Sequence, residues 1–401
     1  MVQRARGSIR RLAAASAVSN IGNWAASVAL ALAIFAKTDS TVWLSASFLF
    51  TQLPSALAAP LGGLIADRLN RQRVMIVCDL AGAACYVGMA LVTSPAALIA
   101  LGSVAALLHM PFGPASRAAV PNLVEEDDLS WANGTLAAAG NVGNLIGPAV
   151  GGALFALTGA GSVFWANAVS FVASALLIAT MRGRFAAERD TKEERPRGAI
   201  WEGVRFIWHH PTLLTLTAIG AITYIATEVT WVADLPLIHH FGVGGVGYGV
   251  MNMVWGAGGL LGGLVAARVV TKAKEPAAAV YGTLVFGAFV GAVGVAPWFG
   301  LIPAFLFVLA FADSFAFVGF NGIYQRDSPD AIRGRVFAAV GGVMTLATAV
   351  GFTFAGFLVQ ATGWRPVFVV GGLIDVACAL VLGFVLLGRS ATSRVAVPSG
   401  K

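Results

Sequence analysis

Long apolar runs, each closed by charge or by glycine and proline, recur from one end of the chain to the other. They predict twelve helices, at about 12–36, 42–66, 74–93, 96–120, 130–157, 162–181, 211–236, 246–270, 277–296, 300–324, 335–361 and 365–388. Each is long enough to cross a bilayer, which takes roughly 20 apolar residues. Such runs must be helical, because lipid offers no partner for backbone N–H and C=O groups. A β-barrel would alternate polar and apolar positions over segments of about ten residues, and these runs do not alternate. The first run follows Arg10 and Arg11 and is too long for the apolar core of a cleaved signal.

The longest polar stretch is RGRFAAERDTKEERPRGAIWEGVRF at 182–206. Its mixed charge and Pro196 read as a cytoplasmic linker, its second part an amphipathic surface helix around Trp201, Val204, Phe206 and Ile207. The predicted organisation is a six-helix bundle over 1–181, a linker over 182–210, a second six-helix bundle over 211–388 and a cytoplasmic tail over 389–401.

Composition narrows the class. Of 401 residues, 58% are hydrophobic and only 11% charged, where a soluble domain carries about 25% charge. A soluble globular protein, a disordered chain and a disulfide scaffold are all excluded. The net charge of +7 would suggest nucleic acid in a soluble protein, but its placement explains it better. With the spans so drawn, 24 of the 26 basic residues fall on one side of the membrane, and only Lys37 and Arg365 on the other. The basic side is the cytoplasm, so both termini are cytoplasmic and nucleic acid is not a partner. Cys78, Cys85 and Cys378 lie in apolar runs with no CxxC and no nearby His, and read as packing residues.

The two halves resemble each other. GGLIADRLNRQ at 62–72 matches GGLVAARVVTK at 262–272, an offset of 200. PASRAAVP at 114–121 matches IYQRDSP at 323–329, placing Arg117 over Arg326 at an offset of 209. GPAVGGALFALTGAGSVF at 147–164 matches GFTFAGFLVQATGWRPVF at 351–368, an offset of 204. Parallel repeats of six-helix halves are the mark of alternating-access transporters.

These segments carry a family resemblance. GGLIADRLNRQR resembles the signature between helices two and three of the major facilitator superfamily, and the likeness extends over essentially the whole chain. PASRAAVPNLVEEDDLSWANG and QRDSPDAIRGRV are similar to the drug-exporter branch that includes macrolide and enterobactin exporters. GNVGNLIGPAVGG at 140–152 is similar to the helix-five signature of superfamily antiporters. The resemblance implies an all-α fold of 12 transmembrane helices in two pseudo-symmetric bundles, acting as a monomer. It also implies that Gly63 permits close helix approach and that Asp67, with Arg68, Arg71, Arg73, Asp79 and Arg117 around it, latches the halves in the outward-facing state. Arg71 and Arg73 would otherwise serve as headgroup anchors. In the second copy Ala267 replaces the acid, so a latch there is weakened or absent. Asp79, near the cytoplasmic end of span three, is expected to pair with the basic cluster of the 68–73 loop.

In span five, Gly143, Gly147 and Gly151 stand four residues apart, with Gly140 before them. That spacing lines one helix face with small residues, so that a neighbour packs closely. Pro148 favours a kink. Packing between the halves would seal the pathway against proton leak, a meaning drawn from the resemblance alone. Ordinary helix packing explains the glycines equally well.

Acids within spans are costly, at ~2.5–3.5 kcal/mol near a helix centre, and so are functional candidates. Glu228 lies nearest the centre of its span, with Tyr224 and Trp231 on the same helical face. A carboxyl group withdrawn from water can exchange protons as its surroundings change. Glu228 is thus the principal proton or cation site, against the alternative of a structural carboxylate bonded to another helix. Asp313 is second, heading a stripe with Phe317, Asn321 and Tyr324 that faces either the cavity or the packed interior. Asp375 sits in helix twelve, usually peripheral in the superfamily. Span one has Asn20, Asn23 and Trp24 where many relatives of the branch carry an acid; the asparagines either bind substrate or link helices. His109 in span four is either satisfied by a neighbour or a proton relay. Asn141 and Trp255 complete the cavity candidates.

No GxxxxGK[ST], HExxH or GxSxG motif is present, nor paired His ligands within a span. Enzyme chemistry, a metal site and a single-chain ATP pump are not supported, and no cofactor is expected. A proton gradient is the expected energy source. The reading is proton-coupled efflux of amphipathic small molecules from a bacterial cytoplasmic (inner) membrane. The aromatics suit apolar or cationic cargo. A siderophore or metabolite exporter is the near alternative; a nutrient importer and a non-transporting receptor stand further off.

Overall fold

The computed structural model describes residues 2–181, 185 and 199–387. Among these residues every regular element is helical. The first half contains α1 (Val2–Thr38), α2 (Thr41–Arg68), α3 (Arg71–Leu91), α4 (Pro95–His109), α5 (Phe112–Leu123), α6 (Leu129–Thr158) and α7 (Ala160–Ala179). The linker helix is α8 (Ala199–His209). There follow α9 (Pro211–Phe241), α10 (Gly244–Val269), α11 (Glu275–Gly294), α12 (Leu301–Asp327), α13 (Arg333–Thr362) and α14 (Trp364–Leu386). Twelve helical segments are long and apolar enough to cross a membrane. They coincide with the twelve apolar runs, their ends moved by a few residues. Most of the linker and the 389–401 tail lie outside the described residues.

One span departs from the sequence reading. Span four reads as a single helix over 96–120, but α4 stops at His109 and α5 starts at Phe112. Pro111 stands in the gap. It has no N–H to continue the ladder, and its ring crowds the preceding turn.

Contacts divide the helices into two compact units. One holds α1 to α7 with residues 242–253, which include the start of α10; the other holds α8, α9, the rest of α10 and α11 to α14. In the first unit, Ile9, Leu12, Met75, Phe112, Leu123 and Ile178 form one core cluster, and Leu30, Ile34, Met89, Leu98 and Phe164 another. In the second, Leu213, Leu216, Ile323, Val336 and Leu382 form the core. Ile207, Val204 and Phe206 of α8 belong to that core, as an amphipathic helix requires, but Trp201 stands exposed on the other side. Glu202 pairs with Arg335 of α13 and fixes α8 along it. All three cysteines are buried and unpaired.

The repeat is visible at atomic scale within each unit. In the first, a Cβ placed on Gly147 of α6 would sit 2.6 Å from Trp24 Cβ and 2.8 Å from the Ile21 carbonyl of α1. In the second, a Cβ on Gly351 of α13 would sit 2.8 Å from Glu228 Cβ and 3.1 Å from the Ile225 carbonyl of α9. Each of these residues is displaced from its counterpart by 204, the offset of the sequence match. The turns leading into α7 and α14 also correspond: Gly159 and Gly363 have φ of 82° and 81°, a region other residues rarely adopt.

Candidate functional site

The second unit gathers the acids. Glu228 is partly buried on α9 and accepts a hydrogen bond from Thr348 Oγ1 of α13 at 2.9 Å. Gly351, one turn further along α13, leaves room for the Glu228 stem. Tyr224 lies one turn before Glu228, and its hydroxyl is within electrostatic reach of both Glu228 and Asp313 of α12. The predicted α9 face and the head of the predicted α12 stripe therefore lie within electrostatic reach of each other. Asp313 and Phe317 are exposed in the isolated chain, although they lie well inside a spanning helix. A charge there cannot face lipid at low cost, so it belongs beside a polar pathway.

The α12 stripe ends sooner than the sequence suggests. Asn321 donates to the Phe317 carbonyl of its own helix at 2.8 Å. Tyr324 turns inward, 4% exposed, and its hydroxyl hydrogen-bonds Thr217 at 2.8 Å. It is a core residue. Trp231 and Trp255 meet edge to face with centroids 6.5 Å apart, and Trp255 meets Phe286 in the same way at 6.3 Å. These rings form an aromatic wall one turn beyond Glu228.

Asp375 is a surprise. A peripheral place was expected, yet it is 1% exposed, packed where α14 crosses Gly287 of α11. One of its oxygens has no hydrogen-bond partner, and it lies within electrostatic reach of Asp313.

The other candidates lie in the first unit. Asn23 links helices, accepting from Asn167 Nδ2 of α7 at 3.5 Å, while Asn167 Oδ1 accepts from Ser170 at 3.0 Å. Asn20 and Trp24 sit on the α1–α6 seam, against Gly143 and Gly147. Asn141 is exposed on α6. Gly143, Gly147 and Gly151 all face α1, inside the unit. The neighbouring Gly152, not one of the three, meets Gly245 and Gly249 at the start of α10; the Pro148 carbonyl also meets Gly249.

At the C-terminal end of α2, Asp67 and Arg68 are exposed. Gly63 has open space where a Cβ would stand; Gly62 is the position packed on Met110. Arg71 donates to the Ala118 carbonyl at 2.7 Å, next to the exposed Arg117. Arg73 is exposed, its backbone N–H capped by Asn70. Asp79 does not pair with these guanidinium groups. The ion pair that the structure gives it is with His109, at 3.4 Å. Two turns of α3 separate Asp79 from Arg71, and His109 is nearer.

Sequence reasoning passed over Thr348 and Asn167. Both are ordinary polar residues in apolar helices, with no spacing signal of their own. The 204 offset, extended beyond the matched segment, would have placed Glu228 over Trp24 and Tyr224 over Asn20.

The Major Facilitator Superfamily model matches residues 12–331 and 235–401. The chain belongs to the major facilitator superfamily. It is a multi-pass membrane transporter and not an enzyme. Among curated relatives, the multidrug efflux pump Tap of Mycolicibacterium fortuitum is 27% identical, over 97% of this chain and 96% of that one. An MFS-type transporter of Bacillus subtilis, YfiS, is 27% identical over 94% of this chain and 93% of its own. Macrolide efflux protein A of Streptococcus pyogenes is 23% identical over 92% and 93%. Among solved structures, the nucleoside transporter NupG aligns with a TM-score of 0.75 at 15% identity, covering 94% of this chain and 98% of that one. A bacterial homologue of the lysosomal transporter Spinster aligns at 0.73 and 15%, over 96% and 98%. These two establish likeness of fold.

Proposed function

We propose that this superfamily member exports amphipathic small molecules in exchange for protons, by alternating access, across a bacterial cytoplasmic membrane. The observation that carries the reading is that Glu228 and Asp313 both lie within electrostatic reach of Tyr224, beside the Trp231–Trp255–Phe286 wall. A cationic aromatic cargo finds both a carboxylate and ring faces there. Proton and cargo compete for one acid, and competition of that kind suffices for exchange. The drug-efflux names of the relatives support the same direction of transport. The proton gradient supplies the energy, both termini are cytoplasmic, and the working unit is one chain.

Everted membrane vesicles holding a pH-sensitive dye test the reading. Addition of cationic dyes or macrolides should drive proton movement that vesicles without the protein do not show. A panel of such compounds that all fail, while binding to the purified protein, would set proton exchange aside.

Asp67 is proposed as the latch of the cycle. Asp67→Asn should insert and fold normally, since Asp67 is exposed and lies outside the core clusters. Substrate exchange between vesicle and medium should slow several-fold. An unchanged exchange rate would remove Asp67 from the conformational cycle.

A further inference from the structure

The first unit encloses a polar cluster that this transport scheme leaves unused. Asp79 of α3 is fully buried, and His109 Nε2 of α4 lies 3.4 Å from its Oδ1. The His109 ring is stacked on Phe112 at 4.8 Å and tilted against Phe171 at 5.0 Å, measured between centroids. Neither oxygen of Asp79 has a hydrogen bond, and nor does His109 Nε2. Ser174 Oγ of α7 is also buried without a partner. Gly82 meets Phe171 and Gly161 meets Ala90, so α3 and α7 run antiparallel. Ser174, one turn on from Phe171, therefore stands at the level of Asp79.

Buried polar groups are normally satisfied, and a cluster of unsatisfied ones asks for a ligand. The surrounding charge is sparse. On α3, Cys78 is within electrostatic reach of Asp79. Arg71, two turns of α3 away, donates from Nη1 to the Ala118 carbonyl, and its buried Nε has no partner. The α7 helix, 160–179, contains no titratable residue. On α5, Arg117 is exposed, as are Asp67 and Arg68 on α2. His109 is thus the group that answers the Asp79 charge. The backbone points the same way, because span four is interrupted directly after His109. Interrupted helices at membrane depth persist where they are enclosed by protein or frame an ion site.

We propose that Asp79 and His109 together form a proton-binding site in the first unit. A small rotation of the imidazole aligns Nε2 with Oδ1. A proton taken from water is then held between them, reached through the part-exposed His109 side chain, and imidazolium and carboxylate compensate each other beside Phe112 and Phe171. The site is separate from Glu228 and adds a second exchangeable proton to the chain.

The test counts protons. Full-length protein in lipid nanodiscs, without substrate, is stepped from about pH 8 to about pH 5.5, the range in which imidazoles charge. Uptake is read with an indicator dye. Wild type should take up about one proton per chain more than Asp79→Asn, and about one more than His109→Gln. The double variant should lose the same single proton, because the pair binds it jointly. Wild-type uptake in either single variant would overturn the proposal. Where a single variant fails to fold, the double variant, with two neutral amides that can bond each other, decides alone; wild-type uptake in it is equally fatal. Repeating the count in Glu228→Gln separates this site from the transport reading. The difference should persist there, whether or not Glu228 couples transport.

Discussion

Glu228→Gln should reach the membrane in normal amounts and lose substrate-driven proton movement by at least about tenfold, equivalent to about 1.4 kcal/mol. The amide has the shape of the carboxyl it replaces. Its oxygen can still accept from Thr348 Oγ1, and its stem still fits against Gly351. Packing is conserved, while the capacity to bind a proton and the charge that a cationic cargo would pair with are both removed. Downhill exchange of a labelled uncharged substrate should therefore survive, because it needs the conformational change and neither the proton nor the charge. The two assays on the same vesicles separate coupling from folding. Persistent proton movement in Glu228→Gln would shift the coupling to Asp313, the second acid within reach of Tyr224.

Gly151→Leu should abolish the folded protein. A Cβ at 151 would lie 2.5 Å from both the Cα and the carbonyl oxygen of Ala25. These are backbone atoms of α1 and cannot rotate aside. The leucine must drive α1 from α6, and overpacking of this kind costs about 1–3 kcal/mol or more. Loss of the monodisperse peak in fluorescence-detected size exclusion is the expected readout. Gly140→Ala on the same helix provides the contrast. Nothing lies within 4 Å of its Cβ position, so it should be neutral, or stabilising by up to about 1 kcal/mol through helix propensity. Equal behaviour of the two variants would mean that the seam does not hold the unit together.

The contrast between Gly140 and Gly151 shows where sequence reading reaches its limit. Span number and position are legible because hydrophobic length is a one-dimensional property, and a bilayer imposes the same length on every span. Glycine spacing reveals that a face is small but not which helix covers it. For Gly143, Gly147 and Gly151 the answer is α1, a partner from the same unit. Asp79 fails for a similar reason. The nearest opposite charges along the chain are the arginines of the 68–73 loop, but the fold brings His109 from thirty residues away. Glu228 and Tyr224 were legible because an acid and a phenol on one turn of an apolar helix are conspicuous. Thr348, which completes the Glu228 site, is a hydroxyl among many. Asp375 was assigned to the periphery by the habit of the family, and the crossing at Gly287 encloses it.

The α1–α6 seam also sets a timetable for synthesis. Asn20 meets Gly143, so about 120 residues separate two surfaces that pack backbone to backbone. At roughly 5–20 residues per second, α1 leaves the ribosome on the order of ten seconds before its partner exists. During that interval three intervening spans enter the membrane, and the flank of α1 that will receive bare glycine backbone has only lipid or the insertion machinery against it. The same delay recurs when α9 awaits α13. A chaperone of membrane insertion that shelters single helices would find α1 and α9 its longest-waiting clients in this chain.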